Sequence, residues 1–275
     1  MDALLRFLPE FKGKHRLARL LLKNDLASKK DVMVKGRYGC RYLLPNLVEN
    51  VSFEIYINGI YEKASSDFIV SRLGEGAVFL DIGANIGAIS IPVRKQRADC
   101  TVVCVEAAPW LNDYLGKNLE LNGFGDIRKI NKALYHTDNE ILNFYSPSEK
   151  FGKGSLSPVY TDQAVKVCTV TVDTLLKELH LPKVDFIKVD VEGYEYAVFQ
   201  GMEQLLSGKT PPDIFFEFED WAEQAAGVTP GSAQRLLLDK GYELFTLGPN
   251  GNLEPLSGAL SKGSLMLFAS VKRSR

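Results

Sequence analysis

Carboxylates that end apolar runs are the residues of this chain best placed to do chemistry. Val78-Phe79-Leu80-Asp81-Ile82-Gly83-Ala84-Asn85-Ile86-Gly87 reads as a buried strand that enters a glycine turn and then opens a helix. Gly83 and Gly87 supply the backbone freedom that a close-bound ligand requires. Asn85 stands where it would cap the helix, whose free N–H groups make an anion site. One helix-and-strand unit later, Val102-Val103-Cys104-Val105-Glu106 is a second buried strand ending in an acid. Glu106 follows Gly87 by 19 residues, close to the ~20 at which an acid reaches a ribose in nucleotide-binding βαβ units. The pattern predicts a ligand with a ribose.

A dinucleotide site would carry G-x-G-x-x-G, whose second glycine lets the backbone approach a pyrophosphate. Here Ala84 and Asn85 stand where that tight turn would lie. S-adenosylmethionine has a ribose but no pyrophosphate, and its charged amino-acid end suits a looser loop beside an acid such as Asp81. A glycine turn that binds another nucleotide, or nothing, is the alternative.

The elements that must position these residues follow from the pattern of the chain. Strands are expected at about 78–82, 102–106, 127–133, 185–190 and 213–218, with helices after the first, second, fourth and fifth. Such alternation predicts a parallel sheet covered on both faces. Segment 140–172 is more irregular, and its ends, 141–145 and 165–170, read as extra strands. Tyr242-Glu243-Leu244-Phe245-Thr246-Leu247 and Ser264-Leu265-Met266-Leu267-Phe268-Ala269, with no helix between them, predict a final antiparallel hairpin. Upstream, helix is expected over 4–27, broken near Pro9 and Gly13, then a hairpin through Gly36 to Gly39 and a helix over roughly 64–73. Pro92 lies inside the helix after Gly87 and is expected to kink it.

At 275 residues, with 45% hydrophobic and 24% charged content, the chain is an ordinary globular α/β protein by composition. The four cysteines make neither a disulfide framework nor a metal set. Arg6, Pro9, Glu10, Lys12 and Lys14 interrupt any leader-like run, and no stretch reaches the ~18 apolar residues of a membrane span. A cytoplasmic location is expected. Residues 1–45 hold eleven Lys or Arg against four acids, a net +7, and the remainder carries −8. That basic segment is either a solvated face or a cap that attracts an anionic acceptor or a membrane surface.

Asp81-Ile-Gly-Ala-Asn-Ile-Gly87, Lys188-Val-Asp-Val-Glu-Gly-Tyr-Glu195, Gly59-Ile-Tyr-Glu62 and Val172-Asp173-Thr174-Leu175 resemble the FkbM-type family of S-adenosylmethionine-dependent methyltransferases, over about residues 50 to 270. The resemblance implies a Rossmann-like seven-stranded methyltransferase sheet, mostly parallel with a C-terminal antiparallel hairpin. An N-terminal helical and β cap (1–65) would precede the catalytic domain (66–275). It implies that Gly83, Ala84, Asn85 and Gly87 hold the methionine part of the cofactor. Glu106, with Ala107, would take the ribose; Ala133 and Leu134 would flank the adenine; Glu62 would face the cofactor. The activity implied is O-methylation of a sugar or other hydroxylated metabolite, with no nucleic-acid partner. An NAD(P)-dependent oxidoreductase and an inactive Rossmann-like binding module are the rival readings.

Ligands in open α/β sheets sit beyond the carboxyl ends of the strands, so Asp190 points where the first loop and Glu106 point. In the methyltransferase strand order the fourth and fifth strands are neighbours, which sets Asp190 beside Glu217. Two close carboxylates either share a proton, which provides a base, or bind a hard divalent cation. The metal-free base is favoured here, because no further ligands stand at metal-site spacing. His136, after the third strand, is a further candidate for catalysis, with an ordinary loop histidine as its alternative. Lys188 shares a strand face with Asp190 and is expected either to pair with it or to serve the site.

Overall fold

A computed structural model describes residues 13–248 and 251–272. Part of the expected 4–27 helix and the turn residues Pro249 and Asn250 lie outside the described residues. Helices α1 (Lys14–Leu21) and α2 (Lys23–Ser28) precede an antiparallel ribbon of β1 (Lys30–Lys35) and β2 (Arg41–Asn46), as the glycines at 36 and 39 suggest. Two helices follow, α3 (Asn50–Asn58) and α4 (Lys63–Arg72).

Next come β3 (Val78–Ile82), helix α5 (Ser90–Gln96), β4 (Thr101–Val105), helix α6 (Pro109–Leu121) and β5 (Arg128–Ile130). The chain then leaves this sheet to form a small one from β6 (Ala133–Leu134), β7 (Ile141–Tyr145) and β8 (Ala164–Val170). It returns through α7 (Val172–Glu178) to β9 (Phe186–Val189), α8 (Glu195–Gln200), α9 (Glu203–Leu206) and β10 (Asp213–Glu219). Helices α10 (Asp220–Ala225) and α11 (Ser232–Asp239) lead to β11 (Tyr242–Leu247), β12 (Leu253–Pro255) and β13 (Ser264–Val271).

The main sheet has the order β12-β11-β13-β10-β9-β3-β4-β5. The pairs β10/β9, β9/β3, β3/β4 and β4/β5 are parallel, whereas β13 runs antiparallel to both β10 and β11. This is the expected Rossmann-like methyltransferase sheet with its antiparallel C-terminal part, extended by the three-residue edge strand β12. The third expected strand is split, because Asn131 and Lys132 carry the chain from β5 to β6 in the second sheet.

The strands are apolar on both sides, as parallel strands between two layers must be. Phe79, Val102, Phe186, Phe215 and Phe268 face one layer, and Leu80, Val103, Ile187, Phe216 and Leu267 face the other. The ribbon and first helices cover the former: Ala18, Val34, Tyr42, Leu44, Phe53 and Ile55 join its apolar cluster. Helices α7, α8 and α11 cover the latter through Leu175, Val198 and Leu237. In the run Val172–Leu175, Thr171 caps α7 by accepting the Thr174 N–H, and Asp173 accepts the Gln204 and Leu205 N–H groups that begin α9. Its acid and hydroxyls therefore order helix ends.

Two expectations about the first loop are corrected. The helix after Gly87 starts only at Ser90, so Pro92 lies in its first turn, where a backbone N–H has no helical partner to lose. No kink is imposed. Asn85 does not cap that helix, since Ile89 is its N-cap residue; instead the Asn85 side chain accepts the Ile86 N–H at 2.8 Å.

The ribbon is tied to the sheet layer by two amides one turn apart on α6 and its C-cap. Asn118 Oδ1 accepts the Leu43 N–H at 2.6 Å while its Nδ2 donates to Ile86 O at 2.9 Å. Asn122 accepts the Arg41 N–H at 2.9 Å and donates to Arg41 O at 2.7 Å. These side chains complete the edge of β2 as a neighbouring strand would. Replacing Asn118 by Ala leaves a strand N–H and a buried carbonyl unpaired, and should lower the unfolding free energy by about 1–3 kcal/mol. Urea denaturation should show a lower midpoint at an unchanged slope. An unaltered midpoint would mean that apolar contacts alone hold the ribbon.

Candidate active site

The first loop is pressed between two strand exits. Gly83 has φ 75°, and a Cβ there would collide with the carbonyl oxygen of Asp190, so only glycine lets β3 and β9 end this close together. The N–H groups of Gly83 and Ala84 both donate to Val105 O at 3.0 Å, which draws the loop onto the end of β4. Asn85 takes φ 52°, and its N–H donates to Glu106 Oε2 at 2.8 Å. Ala108 N–H donates to Glu106 Oε1 at 2.9 Å. Burial pushes the Glu106 carboxyl up to about 7, against the pull of those two donors.

Below the loop lies a buried ion cluster. Lys188 Nζ is 3.0 Å from Asp190 Oδ2, 3.1 Å from Gly83 O and 3.8 Å from Asp81 Oδ1. Burial pulls the ammonium down, yet Asp190 and then Asp81 outweigh it and hold Lys188 above its usual range. Asp81 is fully buried, and burial raises its carboxyl against the opposing pull of Lys188 and the Ser90 hydroxyl. Ser90 Oγ donates to Asp81 Oδ2, whereas Oδ1 receives no hydrogen bond.

Of the residues singled out from the sequence, Asp81, Gly83, Ala84, Asn85, Glu106, Ala107, Ala133, Leu134, Asp190 and Glu217 line one cleft over the strand ends. Gly87 lies a turn deeper, at φ 84° against Ile91 and Leu115. Glu62 precedes α4, its Oε2 accepting the Ser65 hydroxyl at 3.0 Å, and its neighbour Tyr61 is the residue that lines the cleft. His136 is not brought to the cleft: it is exposed, with its ring against Tyr135.

The fourth and fifth strands of the expected order are β9 and β10, which pair with Val189 opposite Phe216, so Asp190, just past the end of β9, stands beside Glu217 within β10. Asp190, Glu192 and Glu217 each present an oxygen, all within 4.8 Å of one another. Burial first, then the neighbouring acids, push Glu192 up to about 8 and Glu217 well above the carboxylate range; Lys153 opposes both shifts. Lys153 Nζ lies 2.9 Å from Glu192 Oε1 and 3.6 Å from Glu219 Oε2. Sequence reasoning missed Lys153, Glu192 and Glu219 as a group. Lys153 comes from the irregular 140–172 segment, and its one local signal is the pair of flanking glycines, 152 and 154. Glu192 stood in a quoted motif without a task.

Glu195, buried at the start of α8, accepts the Val191 N–H at 2.9 Å, and burial raises its carboxyl to about 8. Its folded value exceeds the ordinary one of 4.5, so its contribution to stability is complete below pH 4.5 and is lost as pH rises through about 8. Glu195→Gln keeps an acceptor for Val191 and cannot ionise. Between pH 5 and pH 8 the melting temperature of the wild type should therefore fall relative to that of the variant. Parallel melting curves across that window would contradict a protonated Glu195.

The FkbM methyltransferase-domain family matches residues 81–244. The chain is 24% identical over 218 residues to methyltransferase sdnD of Sordaria araneosa, covering 67% of this chain and 82% of that one. It is 28% identical over 169 residues to the hexuronic acid methyltransferase AglP of Haloferax volcanii, covering 62% of this chain and 64% of that one. Among solved structures, a precorrin-6y C5,15-methyltransferase of Geobacter metallireducens aligns at TM-score 0.44 with 13% identity, over 78% of this chain and 93% of that one. No helix among the described residues is long and apolar enough to cross a membrane. The family match spans the first loop, Glu106 and the acid cluster, and with it the chain belongs to the FkbM family of S-adenosylmethionine-dependent methyltransferases.

Proposed function

We propose that this methyltransferase transfers the methyl group to a hydroxyl of a sugar or another hydroxylated metabolite, in the cytoplasm. The observation that carries the choice of oxygen is the acid cluster at the exits of β9 and β10. A neutral hydroxyl is a weak nucleophile and gains from a base at the point of attack. An amine acceptor that reacts as the free base has no such need. The naming of a relative as a hexuronic acid methyltransferase supports the same class of acceptor.

The residues present fit the cofactor. Gly83 lets the first loop pack against the exit of β9 at the cleft, Asp81 Oδ1 is a buried acceptor that receives no hydrogen bond, and Glu106 places its carboxyl at the cleft wall. In this reading Asp81, Gly83, Ala84 and Asn85 hold the methionine end, with Gly87 shaping the turn beneath and Glu62 behind Tyr61. Glu106 and Ala107 receive the ribose, and Ala133 and Leu134 flank the adenine. The bound cofactor supplies the electrophilic methyl group. Asp190, held by Lys188, stands beside Glu217, whose carboxyl is raised by burial and the neighbouring acids. The Asp190 side accepts the proton of the acceptor hydroxyl, and the cleft walls align the reactants and exclude water. His136 has no part in this scheme. Exposed basic residues of the first 45, among them Arg16, Lys23 and Arg41, would draw an anionic acceptor toward the protein.

The grouping of Asp190, Glu192 and Glu217 favours one second reading, a hard divalent cation held by carboxylate oxygens. Such an ion would have to displace Lys153 from Glu192. The base reading is preferred because that ammonium already neutralises part of the cluster.

Two measurements test the scheme. Ribose hydroxyls donate better to an ionised Glu106, so cofactor affinity should rise with pH through about 7 and level off above it. Glu106→Gln should weaken binding by roughly 1.5–3 kcal/mol and flatten that dependence. Calorimetry that gives equal affinities for the two proteins would remove Glu106 from the ribose. Asp190→Asn should cut kcat by ~10²–10⁴ while the cofactor still binds. Activity lost in EDTA and restored by Mg²⁺ would establish the metal reading, and an unchanged kcat would exclude both roles for Asp190.

A further inference from the structure

Two carboxylate oxygens at the acid cluster have no hydrogen-bond donor. Glu219 is 8% exposed; its Oε1 accepts the Ser264 hydroxyl at 2.9 Å, while Oε2 receives no hydrogen bond and has Lys153 at 3.6 Å. Glu217 Oε2, on the next outward-facing position of the same strand, is buried and likewise without a donor. Buried acceptors left without donors are costly, so these positions call for O–H or N–H groups from a ligand.

The wall beside them is aromatic. Trp221, two residues beyond Glu219, has its ring 5.9 Å from Lys153 Nζ, the same ammonium that lines the cleft between Glu192 and Glu219. Tyr160, from the irregular segment, meets Trp221 edge-on at 6.0 Å and is 39% exposed. The half-buried Trp221 and the partly exposed Tyr160, whose ring has Lys150 Nζ at 5.4 Å, stand beside unsatisfied buried acceptors, and the combination matches a ligand with an apolar face and several hydroxyl donors. Among common acceptors a pyranose ring has both: C–H groups on its faces and hydroxyls around its rim. A planar phenol stacks as well but brings too few donors. An anionic group brings only acceptors to these two carboxylate oxygens, so the part of the ring that meets them is uncharged.

We propose that Trp221 and Tyr160 form the wall of the acceptor subsite, against which a neutral pyranose unit lies while its hydroxyls donate to Glu217 and Glu219. This rests on the reading of the cleft as that of an O-methyltransferase. Lys153, whose ammonium stands between these acids and the Trp221 ring, donates to an oxygen on the rim of the pyranose. Any charge on the natural acceptor lies beyond this ring, outside the subsite. Trp221 and Tyr160 are thus specificity-determining residues, separate from the cofactor loop.

The test measures binding apart from turnover. Full-length protein with S-adenosylhomocysteine is titrated with D-glucose, D-glucuronate and catechol, and Kd is read by saturation-transfer NMR. Glucose should bind with transfer to its ring C–H protons, more tightly than glucuronate, and catechol should not displace it. Trp221→Ala should raise the glucose Kd at least ~10-fold, Tyr160→Ala should raise it less, and Trp221→Phe should restore most of the loss. S-adenosylhomocysteine affinity should be the same in all three variants, which also reports their folding. Absent transfer to glucose, tighter binding of glucuronate or catechol, or a glucose Kd indifferent to Trp221→Ala and Tyr160→Ala would each overturn the proposal. Trp221-dependent glucose binding with no methyl transfer to any hydroxyl would instead overturn the O-methyltransferase reading alone.

Discussion

The buried ammonium of Lys188 is the constraint on which the site depends. A charge removed from water is tolerated only where partners surround it, and here they come from three places: Asp81 on β3, Asp190 after β9 and the carbonyl of Gly83 in the first loop. Because β3 and β9 pair with Asp81 opposite Lys188, the sheet register itself brings these groups together. A slip of one residue would turn Lys188 to the other face and leave two acids uncompensated. The same contact fixes the carbonyl of Gly83, and with it the direction in which the loop leaves the strand.

Charge in the cleft is distributed unevenly, and the unevenness separates its two ends. At the β4 end, Glu106 is buried but has backbone N–H groups on both oxygens, so its ionisation stands near neutrality. At the β9 and β10 end, Glu192 and Glu217 are raised by burial and by the neighbouring acids, with Lys153 as their shared counter-charge. One end is thereby suited to hold a ligand through an acceptor of fixed geometry. The other holds protons that can move.

The elements around the sheet play unlike parts. The N-terminal ribbon and helices join α5 and α6 in the apolar cluster on one face of the sheet, and the amides of Asn118 and Asn122 complete the edge of β2. That segment is integral to the core, whatever its basic exposed side attracts. The irregular piece between β7 and β8 buries little beyond Phe151, Ser155 and Ser157, yet it brings Lys153 to the cleft and Tyr160 against Trp221. Loops can vary at small cost to stability, so this is where a change of acceptor would be made.

What the sequence determined by itself is the sheet and the glycine turn after β3. Apolar runs of period one, each ending in an acid or a glycine turn, specify parallel strands buried on both faces, and the spacing from Gly87 to Glu106 places an acid at the next strand end. Those signals are local, and they survived folding almost unchanged. Where local rules were pushed further they failed: Asn85 read as a helix cap, but tertiary contacts with Glu106 delayed the helix to Ser90, which also relieved Pro92. Asp190 and Glu217 could be set side by side only through the strand order, which the family resemblance supplied and the β9/β10 pairing realises. The acid cluster with Lys153 was decided by tertiary structure alone. Its members come from the 3₁₀ turn Phe151–Lys153, a strand exit at 192 and another strand at 217 and 219, and no spacing along the chain encodes that they meet. Burial then did what composition cannot show: it set which of these acids keep a proton.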